Sequence, residues 1–261
     1  MIKFFRKIRQ KLLKQNRVSK YLVYAFGEIV LVVIGILIAL QINNWNENQK
    51  LLAQEQLILK QLKSEYESNL KQLDEKILMR NQALDACYNL LSYIDDPNKA
   101  EENILYKELW LLVRDPTFDP IKNDIVGSEN LRKIQNDSLV RLLSSWSSEV
   151  YQVQELELQF QKYRTEIIIP CFNRLGLSRN VNHYLWKDGY TPVEALDKNS
   201  KSTLVIKPSK KEINTNNVLD DVELEGIASQ TITFFQVTNI QSQTLRNRIL
   251  NILNILEQEI N

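Results

Sequence analysis

The sequence predicts an all-α protein: one N-terminal transmembrane helix, then an antiparallel, four-helix-bundle-like extracytoplasmic domain. Three observations carry this reading. Residues 21–40 form a nearly unbroken apolar run, YLVYAFGEIVLVVIGILIAL. Only six glycines and six prolines occur in 261 residues, below the usual shares of about 7% and 5%, which argues against turn-rich sandwiches and glycine-rich phosphate loops. Apolar residues recur at helical spacing over long stretches outside the run.

The charge pattern sets the first element. Residues 1–20 hold eight basic side chains (Lys3, Arg6, Lys7, Arg9, Lys11, Lys14, Arg17 and Lys20) and no acid, within a chain of net charge +1. Phe4, Phe5, Ile8 and Leu12 share one side of a helical wheel and most of the cations fall opposite. This is the pattern of a helix lying against anionic lipid headgroups, and with a span adjacent the expected partner is lipid, not nucleic acid.

The run 21–40 contains one charge, Glu28. Twenty helical residues extend roughly 30 Å, the thickness of a bilayer core. Tyr21, Tyr24 and Trp45 flank it as interfacial aromatics do, and no small-residue cleavage site follows, so an uncleaved signal anchor over 21–42 is expected. The basic flank places the leader in the cytoplasm and the chain beyond about residue 45 in the periplasm, an inner-membrane, single-pass topology. Glu28 is costly inside a span and is a candidate for interaction within the membrane. Gly35 and Ala39 form a small-xxx-small pair that lets two helices approach, so a homo-oligomer or a membrane partner is a further expectation.

Four helices are expected in the exported part, at about 45–94, 101–114, 137–173 and 220–259. In the first, Leu51, Leu62, Leu73 and Leu84 recur every eleven residues, as do Tyr66, Ile77 and Tyr88. Such ladders stay on one face of a nearly straight helix, and sustained heptads are not evident. Asp95-Asp96-Pro97-Asn98 breaks it. Pro116 and Pro120 end the second; Asp137 is a good start for the third, and Pro170 kinks or ends it. Residues 176–218 are polar and aperiodic and read as a long loop, with a helical turn at PVEAL (192–196). The breaks between the long helices favour antiparallel neighbours.

Chemistry is scarce. No two glycines are spaced for a nucleotide loop, and His183 is the only histidine, so no catalytic, cofactor-binding or metal-ligating set is assigned. Cys87 and Cys171 sit in apolar contexts, where packing is the expected role. Both would reach an oxidising compartment at similar height in an up-down-up-down bundle, which leaves a Cys87–Cys171 disulfide as a hypothesis beside buried free thiols. His183 and Trp186 are weak candidates for a ligand-binding loop. The leading reading is a non-enzymatic, membrane-anchored domain for protein interaction or envelope scaffolding. The alternatives are a sensory module acting through a membrane partner and, last, an envelope hydrolase.

The stretch YAFGEIVLVVIGILIALQINNWNE (24–47), after a short basic leader, resembles the start of an uncharacterised family of single-span membrane proteins found in Bacteroidota. Residues 127–131, 139–143 and the C-terminal LNILNILEQEI resemble that family's later helices, although Val126-Gly127-Ser128-Glu129 departs from its Ser-Gly-x-Leu-like turn. The resemblance implies a single-span topology and a bacterial origin. It implies no catalytic or binding residue.

Overall fold

The computed structural model describes residues 18–121, 128–186 and 205–260. The leader up to residue 17, the turn at Gly127 and the PVEAL segment lie outside these residues. Helix is the only regular structure among the described residues, with no strand. The elements are α1 (Val18–Asp95), a 3₁₀ turn (Pro97–Lys99), α2 (Glu102–Leu112), α3 (Ser128–Leu131) and α4 (Asp137–Tyr163). After α4 come a π-helical segment (Arg164–Ile168), α5 (Ile169–Arg174), α6 (Ser178–Trp186), α7 (Thr215–Leu219) and α8 (Val222–Glu259). The chain divides into two compact units, residues 1–58 and 59–261.

The first unit, where described, is the start of α1. An 18-residue window there has a mean hydropathy of 2.5, and none of it is buried. It is long and apolar enough to cross a membrane. Gly35 has nothing within 4 Å of where a Cβ would stand. Ala39 is exposed and Glu28 partly so.

In the second unit, three long helices share one geometry. On α1 the buried line is Leu59, Leu62, Tyr66, Asn69, Leu73, Lys76, Arg80, Ala83, Cys87 and Leu90, whose steps alternate between three and four residues. Leu139, Leu143, Trp146, Val150, Val153, Glu157 and Phe160 do the same on α4. On α8 the line runs Leu224, Ala228, Thr231, Phe235, Thr238, Ser242, Leu245, Ile249, Ile252 and Leu256. A 3.5-residue repeat on every helix is the spacing of left-handed, knobs-into-holes bundles with crossings near about 20°. This corrects the eleven-residue ladders: Tyr88 is half exposed and Leu84 only partly buried. The heptad is hidden in the sequence because polar Asn69, Lys76 and Arg80 occupy three of its positions.

Cross-helix pairs give the directions. Asp74–Arg246 (2.6 Å), Asn81–Asn239 (2.8 Å) and Tyr88–Gln236 (2.7 Å) run α8 antiparallel to α1. Asn136–Glu259 (2.7 Å) and Glu149–Arg248 (2.9 Å) run α8 antiparallel to α4. Asn89–Glu108 (3.1 Å) and Gln82–Arg114 (2.7 Å) bring α2 back down α1. The order is therefore up, down, up, down, with one departure: the second position is helical only as far as Leu112, and residues 113–121 complete it as an extended strap. Pro116 and Pro120 explain the change, since each lacks an amide donor and its ring blocks the preceding turn.

The expected loop at 176–218 is corrected in part. Ser178–Trp186 is helix α6 and Thr215–Leu219 is helix α7. The apolar count missed α6 because buried Asn180 sits beside Val181 on its inner face. Entry to α6 is set by Gly176, the one glycine with a left-handed backbone (φ 74°) among the described residues. The Leu177 amide bonds the Phe172 carbonyl (2.8 Å) and the Gly176 amide that of Asn173 (3.2 Å), a Schellman closure of α5 with Leu177 buried over it. No atom would obstruct a methyl group at Gly176, so Gly176→Ala isolates backbone strain. It should lower stability by about 1 kcal/mol in chemical denaturation of the full chain in detergent; an unchanged midpoint would contradict the assignment.

Candidate functional site

Two places in the helical unit gather polar side chains. The first is the centre of the bundle. Arg80 is fully buried on the heptad line of α1. Its Nη1 donates to Glu157 Oε1 (2.7 Å) and to the Pro116 carbonyl (3.2 Å), its Nε to Asn239 Oδ1 (2.8 Å) and its Nη2 to Ser242 Oγ (2.7 Å). Glu157 Oε2 in turn accepts the Phe118 amide (2.9 Å). One guanidinium thus touches α1, the strap, α4 and α8. Burial pushes the Glu157 carboxyl upward, while the Arg80 charge and the Phe118 amide pull it back.

The strap depends on this centre. Among residues 116–121 four have amides, and three of these are taken by side chains: Phe118 by Glu157, Asp119 by Gln72 (2.9 Å) and Ile121 by Asn69 (2.8 Å). Carbonyls are met likewise: Gln154 donates to Phe118 O (3.1 Å), and Arg164 donates to Val113 O (2.9 Å) and to the Asp115 carboxylate (3.1 Å). The strap is held as a ligand peptide would be, with Pro116, Phe118 and Pro120 buried.

The second place is a cavity of roughly 520 Å³. It lies between α2 (Glu102, Tyr106, Lys107), α6 (Asn180, His183, Tyr184) and the bend at Pro208, Ser209 and Lys211. His183 is therefore brought to a cavity, on a helix and not in a loop; Trp186, at the end of α6, is not in its lining. His183 Nδ1 lies 2.5 Å from the Ile206 carbonyl, which fixes Nδ1–H as the donor. Glu102 accepts from the Tyr106 hydroxyl (3.2 Å). The hydrolase reading requires His183 beside a cysteine or carboxylate. Glu102 shares the cavity, where it accepts the Tyr106 hydroxyl, and the Nδ1 bond leaves Nε2 as the ring nitrogen open to it.

Cys87 and Cys171 are both free and buried in one apolar cluster. The hypothesised disulfide is not formed in this structure. Burial, helped by the nearby Glu108 charge, pushes the Cys87 thiol up to about 12; burial and then the Glu223 charge take Cys171 to about 11. Both shifts favour the protonated thiol, the less nucleophilic form. Cys171, Asp221 and Glu223 bring one ligand atom each within 4.8 Å of one another. Arg174 already occupies that group, bonding Asp221 through both nitrogens (2.8 and 3.0 Å) and also Glu223. Asp221 caps α8 by accepting the Glu223 and Leu224 amides (3.0 and 3.2 Å), and the Arg174 bond holds its carboxyl below the usual range. The arrangement is a helix cap locked by an arginine.

Arg80, Glu157, Lys107 and Asn180 were not singled out by sequence. Arg80 and Glu157 carry a signal that could have found them, since each falls on a heptad position otherwise reserved for apolar residues. Lysines on a solvated face carry none. Removing Arg80 strands Glu157 and the strap, so Arg80→Met should cost about 3–5 kcal/mol of stability by denaturant titration of the full chain. Adding Glu157→Leu should recover only part, because the Phe118 amide is then unmet at about 1–3 kcal/mol. Full recovery would contradict the strap's dependence on the pair.

The model of a family of unknown function, DUF6090, matches residues 28–107. That stretch runs from the apolar segment through the rest of α1 to the middle of α2, and it contains Arg80 and Lys107. Neither a curated relative nor a solved structure matches the chain. The chain is thus similar to a family of unknown function across the apolar segment and the first arm of the bundle.

Proposed function

We propose that this is a single-pass protein of a bacterial inner membrane, presenting a helical periplasmic domain for protein interaction or envelope scaffolding, without catalysis. The carrying observation is the 18-residue window of mean hydropathy 2.5, none of it buried. So large an apolar surface needs a covering, and a bilayer suits its length. The eight cations of residues 1–20 favour a cytoplasmic leader against anionic headgroups, with lipid and not nucleic acid as its partner. The Bacteroidota origin rests on the resemblance of residues 24–47. Open space beside Gly35, with Ala39 exposed one turn on, supports a homo-oligomer or a second membrane protein at that face. A non-catalytic role is favoured because four buried ionisable groups serve structure: Arg80 and Glu157 hold the strap, and Cys87 and Cys171 pack in the core.

A sensory module working through a membrane partner is the second reading, and the 520 Å³ cavity is the observation that favours it. In either case protease added to spheroplasts should digest the chain beyond about residue 45 and leave an epitope on the leader intact. Protection of the helical unit with digestion of the leader would reverse the topology.

A further inference from the structure

The cavity between α2 and α6 has a charge imbalance that the anchoring proposal does not use. Lys107 and Lys211 line it. Both are exposed, and among the described residues neither has a carboxylate partner. Glu102, the one acid in the lining, is engaged by the Tyr106 hydroxyl. The lining therefore holds two lysines against a single, already bonded carboxylate. Lys207 precedes the segment 208–211 and Lys210 lies within it, and Glu212, which follows it, does not line the cavity.

The walls are also fixed in place. The Ser209 amide donates to Asn180 Oδ1 (2.7 Å), His183 Nδ1 to the Ile206 carbonyl (2.5 Å) and Arg179 Nε to the Lys207 carbonyl (2.9 Å). These three bonds dock residues 206–209 on α6, so that wall of the cavity is set before a ligand enters, which lowers the ordering cost of filling it. Because Nδ1 is used, His183 has only Nε2 left for a ligand, as an acceptor when neutral and a donor when protonated. Tyr106 and Tyr184 supply aromatic surface beside the cations. A few convergent polar groups against aromatic walls, in a volume of this size, is the usual makeup of a small-molecule site.

We propose that this cavity binds a small organic anion, with a carboxylate or phosphate held by Lys107 and Lys211 and its body against the tyrosines. The inference stands apart from the anchoring reading, since it concerns only residues of the helical unit. The test is isothermal titration calorimetry of the full-length protein in non-ionic detergent, with sodium succinate and, separately, sodium phosphate at constant ionic strength. At least one anion should bind saturably at one site per chain, and which one does so separates a carboxylate from a phosphate ligand. Lys107→Gln with Lys211→Gln should weaken that binding by about tenfold or more, and Lys211→Glu alone should also weaken it. Lys162→Gln, at a surface pair with Glu166, should leave it unchanged. All three lysines are exposed, so the variants should keep the wild-type circular dichroism and melting. Absence of saturable binding by both anions, or equal binding by the double variant, would overturn the proposal.

Discussion

A buried guanidinium must be met on nearly all its donors, and the way Arg80 is met organises the helical unit. Its partners come from Glu157, Asn239, Ser242 and the Pro116 carbonyl, so the full set of bonds forms only when α1, α4, α8 and the strap are all in register. An isolated buried pair is weak support for stability, because desolvation offsets most of the attraction. Here the pair has a second task, to supply hydrogen bonds to a backbone that has no helix of its own. Glu157 shows this directly, with one oxygen on Arg80 and the other on the Phe118 amide.

The strap follows from that constraint. A fourth heptad helix would satisfy its own backbone and needs only apolar neighbours. Pro116 and Pro120 forbid it, and the extended chain that replaces it exposes amides and carbonyls to the bundle interior. Asn69, Gln72, Arg80, Gln154 and Glu157 replace the lost ladder. The polar residues that interrupt the heptads of α1 and α4 are therefore the complement of the prolines on the strap. Around the helical half of the same element, α6 packs instead: Tyr106 lies beside Asn180, and Trp110 meets Tyr184 with ring centroids 6.4 Å apart. The cavity lies along this pairing and is lined from both helices and from Pro208, Ser209 and Lys211.

Much of this was legible in the sequence, for physical reasons that can be named. The apolar segment, the break at Pro97, the start of α4 near Asp137 and the course of the last helix follow from local rules of length, proline and capping, although the cap of α4 is Asn136, one residue before Asp137, and that of α8 is Asp221. The up-down-up-down order was also legible, from the short breaks. What failed was the periodicity of α1. An apolar count cannot recognise a heptad whose positions hold Asn69, Lys76 and Arg80, and the partners of Asn69 and Arg80 lie far off in the sequence, on the strap, α4 and α8. Helix α6 was lost for the same reason at Asn180, which is buried against the Ser209 amide. Of the candidate site, His183 was found as a lone histidine, whereas Lys107 and Lys211 matter only because folding brings residues 104 positions apart to one cavity.

The central claim is that side chains of α1 and α4 serve as the hydrogen-bonding surface for an extended segment. Amide hydrogen exchange of the full-length protein, read at Phe118, Asp119 and Ile121, measures this most directly. Protection close to that of the neighbouring long helices is expected at all three, with Phe118 losing it selectively in Glu157→Leu. Exchange at the rate of an unstructured chain in the wild-type protein would contradict the account.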